Sequence, residues 1–273
     1  MPMRLDLHIH TTASDGAWSP AAVARGAAGR LDVIAITDHD TTAGIEAARQ
    51  SAEGLHLHVI PAVELSSTYR GRDIHVLGYF VDLAAPPLRA HEAHAETARE
   101  RRMAEMIGRL RAQGVHVEMD AVLAAAGPER ASLGRPHLAR ALVAAGHAQS
   151  VPDAFDRWIG DGHAAFVPTA LLDPAGAVGV VRAAGGIPVW AHPPIDLIDA
   201  LLPGLVRAGL RGLEVYRPRI DAEQMGRLER TARSAGLVVT GGSDWHTPDA
   251  GSALGDFHVT GDELGRFLEE GGM

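Results

Sequence analysis

The sequence predicts an α/β protein, a distorted (β/α) barrel of about seven strands that carries an all-helical insertion. Apolar runs of strand length alternate with alanine-rich helical stretches in both halves of the chain. Such alternation is typical of parallel strands with helices outside, and a barrel closes them most economically. Between residues 86 and 160 the alternation stops, and only helical patterns occur. An open, doubly wound sheet is the alternative.

The first half of the chain is expected to hold four strands and two helices. Residues 4–10, RLDLHIH, alternate apolar and polar positions as a strand does. Ser19 followed by Pro20 is a typical helix start, because serine caps the first turn and proline fits it. The run at 32–40 predicts a buried strand, and the helix after it should end at Gly54. Two more strands are expected at 56–67 and 72–80.

The second half repeats this rhythm and ends with a short helix. Strands are expected at 187–192, 212–216 and 237–246, with helices between them and the last helix at 262–270. We therefore expect one barrel formed by residues 1–85 and 161–273. Residues 86–160 should form a helical insertion that covers the mouth of this barrel.

Composition limits the classes of partner. The 273 residues suit one large domain, and a formal charge of −9 argues against long duplex nucleic acid and anionic membranes as partners. A small phosphorylated substrate held by a few arginines remains compatible with this charge. The chain has no cysteine, which excludes disulfides and thiolate metal sites. We see neither a signal-peptide pattern nor a membrane-length apolar run, so a cytoplasmic location is expected. The oligomeric state is left open.

Histidines and carboxylates gather at predicted strands and strand ends. In parallel α/β folds the carboxyl ends of the strands share one face, and side chains two residues apart on a strand point the same way. Imidazole and carboxylate ligands without sulfur suit manganese, iron, zinc or cobalt. A pair of such ions can polarise a phosphoryl oxygen and activate water. The sequence therefore predicts a metal site from His8, His10, Asp38 or His39, Glu64, His75, His192, Asp244 and His246.

Other polar residues have simpler interpretations. Asp15 lies in SDG and, taken alone, is equally well a turn residue. Asp40 is a candidate N-cap of the following helix, and Glu214 is left outside the metal site. His91 and His94 lie three residues apart on a charged helix and are expected to be solvated.

The order of these motifs resembles the polymerase-and-histidinol-phosphatase (PHP) family. The resemblance covers the whole chain, and the combination of motifs is far more specific than any one of them. It implies a distorted (β/α)7 barrel, the PHP fold, with two or three divalent metals at its mouth. Manganese is expected, with zinc or iron as alternatives. The motifs are DLHxH at 6–10, TDH at 37–39, Glu64, His75, AHP at 191–193 and GSDxH at 242–246.

The resemblance also implies which residues hold which metal. His8, His10, Glu64 and Asp244 would hold the first ion; Glu64, His75 and His192 the second, with Glu64 bridging; and Asp15, His39 and His246 the third. Some histidinol-phosphate phosphatases of the family have histidine at the position of Asp15. The aspartate here mildly favours other branches.

Within the family the sequence is most similar to stand-alone nucleotide phosphoesterases. This group includes 3',5'-nucleoside bisphosphate phosphatases and 5'-to-3' exoribonucleases that trim short RNA. Its helical insertion closes over the metals and supplies arginines for phosphate. The matching residues here are Arg99 and Arg102 on the long helix, and Arg135 with His137 in GRPHLAR. The alternative for these three arginines is a solvated, arginine-rich helix face.

The expected activity is a metal-dependent phosphoesterase reaction on nucleotides. The substrate would be the 3'-phosphate of 3',5'-nucleoside bisphosphates such as pAp, or 5'-phosphorylated short RNA. A hydroxide that bridges the metals beside Glu64 would attack phosphorus, and a protonated His137 is a candidate donor to the leaving group. Histidinol-phosphate phosphatase is the alternative activity. A non-catalytic, metal-stabilised PHP module and a C–N hydrolase, as in related amidohydrolases, are alternatives of other classes.

Overall fold

The computed structural model describes residues 2–248 and 252–273. Its strands are β1 Arg4–Ile9, β2 Val33–Ile36, β3 His58–Tyr69, β4 Arg72–Tyr79, β5 Ile187–Trp190, β6 Gly212–Tyr216, β7 Val238–Gly241 and β8 Val259–Thr260. The helices are α1 Pro20–Ala27, α2 Ile45–Ala52, α3 Pro86–Ala112, α4 Met119–Ala126, α5 Arg135–Ala144, α6 Val151–Ala154, α7 Pro174–Ala183, α8 Ile198–Ala208, α9 Ala222–Ser234 and α10 Gly265–Glu270. A π turn, Phe155–Ile159, follows α6, and a 3-10 turn, Ile195–Leu197, precedes α8.

The strands form a nearly closed barrel. They are hydrogen-bonded in the order β7-β6-β5-β4-β3-β2-β1-β8. Just after β7 the chain returns to β1, where the His10 N–H donates to the Trp245 carbonyl at 2.9 Å and the Trp245 N–H donates to the His8 carbonyl at 3.2 Å. The chain after β7 therefore meets β1, β8 pairs with the other edge of β1, and the predicted barrel is confirmed over the open alternative.

One strand runs against the predicted direction. β4 is antiparallel to both β3 and β5, whereas the sequence predicted parallel strands throughout. A tight turn at Arg70 and Gly71, both with positive φ, joins β3 to β4 without the helix that a parallel crossover needs. Because β4 runs in reverse, its first half lies at the mouth of the barrel. His75 therefore lies in register with Ser66, although it is not at a carboxyl end.

Several predicted strands end earlier than expected. β7 ends at Gly241, so residues 242–246 form a loop, and Asp244 adopts a left-handed backbone with φ 52°. The prediction that Asp244 and its neighbour two residues on share a strand face is therefore wrong. His39 and His192 likewise lie beyond the ends of β2 and β5, the latter with φ 28°. These ligands reach the mouth from short loops.

The core is divided between the barrel and the helices outside it. One apolar cluster joins side chains of most strands with α10 and includes Leu5, Ile60 and Phe267. A separate cluster between Met103 and Ala165 fills the all-helical region. Both are mainly aliphatic, as the low aromatic content predicts. Within the described residues no helix has both the length and the apolar character of a membrane span.

A close approach between Gly242 and β1 gives a stability prediction. A Cβ on Gly242 would lie 2.4 Å from the backbone nitrogen of His8, which cannot move without shifting β1. We expect Gly242→Ala to lower the free energy of unfolding by about 1–3 kcal/mol, as overpacking does. The control is Gly179→Ala in α7, where a Cβ meets nothing within 4 Å. This control should gain about 0.5–1 kcal/mol from helix propensity. Urea denaturation measures both, and equal stability of the two variants would contradict the packing argument.

Candidate metal centre

Nine predicted ligands converge at the mouth of the barrel. Their ligand atoms fall into four overlapping groups, and within each group these atoms lie within 4.8 Å of one another. The groups are His10, Asp15, His39 and His246; His8, Glu64 and His192; His8, His10 and Asp244; and His39, Glu64 and His75. Residues more than 230 positions apart in the chain thus share one site, as the strand-end pattern predicted.

Glu64 lies at the centre of this cluster. Its carboxylate is 1% exposed and lies within 3.4 Å of the nearest nitrogen of five imidazoles: His8, His10, His39, His75 and His192. The structure also tests whether the cluster fits a cation. Among the described residues, Glu64 Oε2 and His39 Nδ1 are buried without a hydrogen-bond partner, although they lie 3.0 Å apart. Unpaired buried polar atoms are costly, and a divalent ion would satisfy both atoms. The donor set therefore fits a metal.

Glu214 supports the cluster from outside. Its carboxylate accepts hydrogen bonds from His8 Nδ1 at 2.8 Å and from the backbone N–H of His192 at 2.7 Å. A proton held on Nδ1 leaves His8 Nε2 free to bind a metal, which is how carboxylates orient metal-binding imidazoles. The sequence analysis left Glu214 outside the site. Glu214 lies inside β6, and only the folded structure shows that it is next to His8 and His192.

When no cation is bound, the carboxylates of the cluster favour protonated imidazoles, and the imidazoles favour ionised carboxylates. Burial opposes protonation of His10, but the negative charges of the adjacent Asp244 and Glu64 carboxylates raise its pKa to about 10. Burial likewise opposes ionisation of Asp15, but the nearby His246 and His39 imidazoles hold the pKa of that carboxyl well below its usual range. Metal ions compete with such protons for the same lone pairs. The cluster is therefore built to hold positive charge.

Comparisons with known proteins agree with this chemistry, although no family model matches the chain. The 5'-3' exoribonuclease Rnm of Salmonella typhimurium is 37% identical over 254 residues, which cover 89% of this chain and 85% of the relative. A phosphoribosyl 1,2-cyclic phosphate 1,2-diphosphodiesterase of Eggerthella lenta is 35% identical over 246 residues, covering 88% and 93%. The 3',5'-nucleoside bisphosphate phosphatase of Chromobacterium violaceum is 32% identical over 254 residues, covering 90% and 88%.

The chain belongs to the PHP family of metal-dependent phosphoesterases. A solved protein of Bifidobacterium adolescentis assigned as a metal-dependent phosphoesterase superposes with a TM-score of 0.86 at 32% identity, covering 98% of this chain and 97% of the other. A solved Chromobacterium violaceum protein described as an amidohydrolase with bound sulfate has a TM-score of 0.88 at 29% identity, covering 98% and 96%. The predicted family, fold and class of enzyme are confirmed, and divalent metals are its cofactors. The relatives do not support a non-catalytic PHP module.

The long helix of this PHP protein is fastened to the barrel by a buried ion pair. Asp40 Oδ2 accepts hydrogen bonds from Arg99 Nε at 2.8 Å and Nη2 at 2.6 Å. Asp40 Oδ1 lies 2.8 Å from His91 Nε2 and accepts the Ser66 N–H at 2.8 Å. Asp40 is therefore no N-cap, and the residue before α2 is Gly44. His91 is buried, so its predicted solvation is wrong, whereas His94 is exposed as expected.

Most of the N–H donors of Arg99 form hydrogen bonds within the protein. Besides the two bonds to Asp40, Nη1 donates to the Leu133 carbonyl at 2.8 Å and Nη2 donates to Ser66 Oγ at 2.7 Å. Arg99 and Arg102 are both buried, which contradicts the alternative of a solvated helix face. Arg99 thereby positions the loop that carries His39.

The loop that carries Asp15 is held from two sides. On the barrel side, Asp38 accepts hydrogen bonds from the Thr11 N–H at 2.7 Å and from Ser14 Oγ at 2.6 Å. On the helical side, Arg140 Nη2 donates to the Asp15 carbonyl at 2.6 Å. Asp38 thus supports a neighbouring ligand loop, and it belongs to none of the four ligand groups.

The structure argues against the predicted roles of His137. Its Nδ1 accepts the Gly134 N–H at 3.0 Å, and the ring also hydrogen-bonds the Ser14 backbone. Burial lowers its pKa to about 4, so the imidazole is neutral at neutral pH and is no imidazolium donor. His137 is 1% exposed and lies outside the lining of the cavity beside the metal centre. Its contacts fasten α5 to the loop of Asp15.

That cavity, which we name the arginine pocket, joins cationic side chains to candidate ligands. Its volume is about 160 Å³. It is lined by Arg99, Arg102 and Arg135 and by Asp15, His39, His75 and His246, among others. The three arginines predicted from the sequence are therefore brought together next to the metal centre. An anionic group in this pocket would lie between guanidinium groups and the ions.

The ion pair of Asp40 gives the second stability prediction. Arg99→Met leaves Asp40 buried without its main partner, so we expect the free energy of unfolding to fall by about 3–5 kcal/mol. Arg101→Met is the matched control, because Arg101 lies on the exposed face of the same helix. The control should change stability by less than about 0.5 kcal/mol. Urea denaturation with EDTA present excludes a contribution from metal binding. A loss with Arg99→Met no larger than the control would show that Asp40 is satisfied by other groups.

Proposed function

We propose that this phosphoesterase acts on nucleotides, removing the 3'-phosphate of 3',5'-nucleoside bisphosphates and hydrolysing 5'-phosphorylated short RNA. The arginine pocket carries this proposal. Three arginines and four candidate metal ligands line a cavity of about 160 Å³. Small-molecule pockets usually hold about 300–1,000 Å³, so this one suits a phosphate group rather than a whole nucleotide. Arginine forks match phosphate oxygens in geometry and charge.

The nine clustered residues are proposed to hold two or three divalent ions, with manganese preferred over zinc or iron. His8, His10, Glu64 and Asp244 would form the first site; Glu64, His75 and His192 the second; and Asp15, His39 and His246 the third. When bound, such ions supply Lewis-acid polarisation of phosphoryl oxygens and activation of the attacking water. Glu64 is suited to bridge ions because its two oxygens face different imidazoles, Oε1 facing His75 and Oε2 facing His39.

The arginines would bind and orient the phosphate. Arg135 lies over the rings of Phe155 and Phe166, at 5.5 and 5.0 Å from their centroids, which fixes the plane of its guanidinium. Burial lowers the pKa of Arg102 to about 10, so it still carries its charge at neutral pH. Arg102 Nε donates to the Val167 carbonyl at 2.7 Å and Arg135 Nη1 donates to Asp161 at 2.6 Å. Each arginine also approaches Asp73, at 3.3 and 3.7 Å, and the remaining guanidinium N–H groups are available to a substrate oxygen. Residues 86–160 would then act as a helical cover that supplies these cations.

The relatives support nucleotides as the substrate class. Two of those reported above are named for RNA or nucleotides, the 5'-3' exoribonuclease and the 3',5'-nucleoside bisphosphate phosphatase. The third is named for a phosphoribosyl cyclic phosphate, which shares a sugar and a phosphate ester with them. Histidinol phosphate is the alternative substrate, and Asp15 in place of histidine weighs against it. Both nucleotide substrates need the same chemistry at phosphorus, so one site can serve both.

A comparison of substrates tests this proposal. The manganese-loaded protein is incubated separately with pAp, a 5'-phosphorylated trinucleotide and histidinol phosphate, and released phosphate or mononucleotide is measured. We expect turnover of the nucleotides with kcat/KM at least about tenfold above that for histidinol phosphate, since the arginine pocket favours substrates with additional phosphate charge. EDTA should abolish turnover. A preference for histidinol phosphate would overturn the nucleotide proposal and leave the phosphoesterase class intact.

The third ion gives a separate prediction. Asp15→Ala should lower the metal content of the manganese-loaded protein by one ion per chain, because His8, Glu64 and Asp244 belong to ligand groups that do not include Asp15. Asp120→Ala, on the exposed surface of α4, is the control and should keep the full content. Elemental analysis of the dialysed proteins gives the count. An unchanged count in Asp15→Ala would return Asp15 to the role of a turn residue.

A further inference from the structure

We propose a second substrate subsite on the other side of the metal centre, in which Arg217 binds a phosphate of the nucleotide beyond the bond that is hydrolysed. This inference rests on the proposed function and specifies how much of the substrate the enzyme holds. The subsite is a cavity of about 450 Å³ that follows the end of β6. We name it the Arg217 pocket.

The Arg217 pocket opens directly onto the candidate metal centre. Its lining includes the ligands His192, Asp244 and His246 together with Arg217. The arginine pocket is lined by a different set of residues, and His246 is the one residue that both linings include. The two cavities therefore flank the metal centre. A substrate with its reacting phosphorus at the ions has room on both sides.

The sizes of the two cavities assign them to different parts of a substrate. The arginine pocket, at about 160 Å³, is small and strongly cationic. The Arg217 pocket, at about 450 Å³, falls within the range of about 300–1,000 Å³ that is usual for small-molecule sites. A phosphate group suits the first cavity and a nucleoside suits the second. A bare phosphate ester would leave the larger cavity unused.

Arg217 is the residue in this pocket that would bind an anion. Its Nε is buried and has no hydrogen-bond partner among the described residues. The nearby Glu214 carboxylate already accepts hydrogen bonds from His8 and His192. The Asp244 carboxylate likewise lies 3.3 Å from His8 and 3.2 Å from an imidazole nitrogen of His10. Both carboxylates in the wall are thus engaged with histidines. A substrate phosphate would supply the acceptor that Arg217 Nε lacks.

The placement describes a path for short RNA across the centre. Water would add its oxygen to the reacting phosphorus beside the candidate ligands, the P–O bond to the departing nucleoside oxygen would break, and that oxygen would take up the proton released by the water. The 5'-terminal phosphate then occupies the arginine pocket, and the chain beyond the reacting phosphorus lies in the Arg217 pocket. The next phosphate along the chain meets Arg217. Chains with such a phosphate therefore gain a contact that simple esters cannot make.

Steady-state kinetics on two substrates test the subsite. The manganese-loaded wild type, Arg217→Ala and Arg217→Gln are assayed with a 5'-phosphorylated trinucleotide and with p-nitrophenyl phosphate. Loss of one charge-assisted contact should lower the ratio of the two kcat/KM values about tenfold or more, chiefly through KM for the trinucleotide. Arg217→Lys, which keeps the charge, should restore part of the ratio. The control is Arg227→Ala on α9, an exposed arginine paired with Asp199.

The outcomes separate this inference from the proposed function. An unchanged ratio in folded Arg217 variants, with trinucleotide turnover intact in the wild type, overturns the subsite and leaves the function standing. A wild type that hydrolyses p-nitrophenyl phosphate but no nucleotide overturns the function itself. Circular dichroism verifies folding, and Arg217→Gln, which keeps the aliphatic stem and a polar end without the charge, serves as the test if the alanine variant does not fold.

Discussion

A single buried carboxylate organises the mouth of the barrel. Glu64 lies on β3 with five imidazoles around it, and no apolar side chain could take its place without leaving those nitrogens unmatched. The histidines come from β1, from β4 and from loops after β2 and β5, so their separate positions are coupled through one residue. The barrel must therefore close accurately. The close packing of Gly242 against His8 leaves no room for a larger side chain where the chain after β7 meets β1.

Much of this arrangement follows from the sequence alone. Strand periodicity predicted the barrel, and strand-end positions predicted that most of the candidate ligands would meet, because parallel strands share an end. Asp15 was added only through the family resemblance. The start of α1 was also predictable, since Ser19 Oγ caps the backbone N–H of Ala22. The reversal of β4 was not, because it depends on a two-residue turn instead of a crossover. Neither was the loop conformation of Asp244, whose left-handed backbone has no signature in the local pattern.

The contacts that support the candidate ligands from behind were the least predictable feature of the site. A helical pattern shows which residues share a face but not what that face will meet. Arg99 and Arg101 are therefore alike in sequence, although one is buried on Asp40 and the other is exposed. The pairing of Asp40 with Arg99 spans 59 residues and exists only once α3 crosses the barrel. Glu214 and Asp38 gain their supporting roles in the same way, through neighbours that are distant in the chain.

The helical region grips two ligand loops, one through Asp40 and the other through the carbonyl of Asp15. Its arginines also face the pocket in which a phosphate is proposed to lie. Ion binding and substrate binding therefore act on the same rigid contacts. Coupling between two binding events is reciprocal, so a substrate that draws the helices inward strengthens the hold on the ions by the same factor as the ions strengthen the hold on the substrate. The free enzyme should accordingly exchange its loop-held ion more readily than the enzyme with substrate bound.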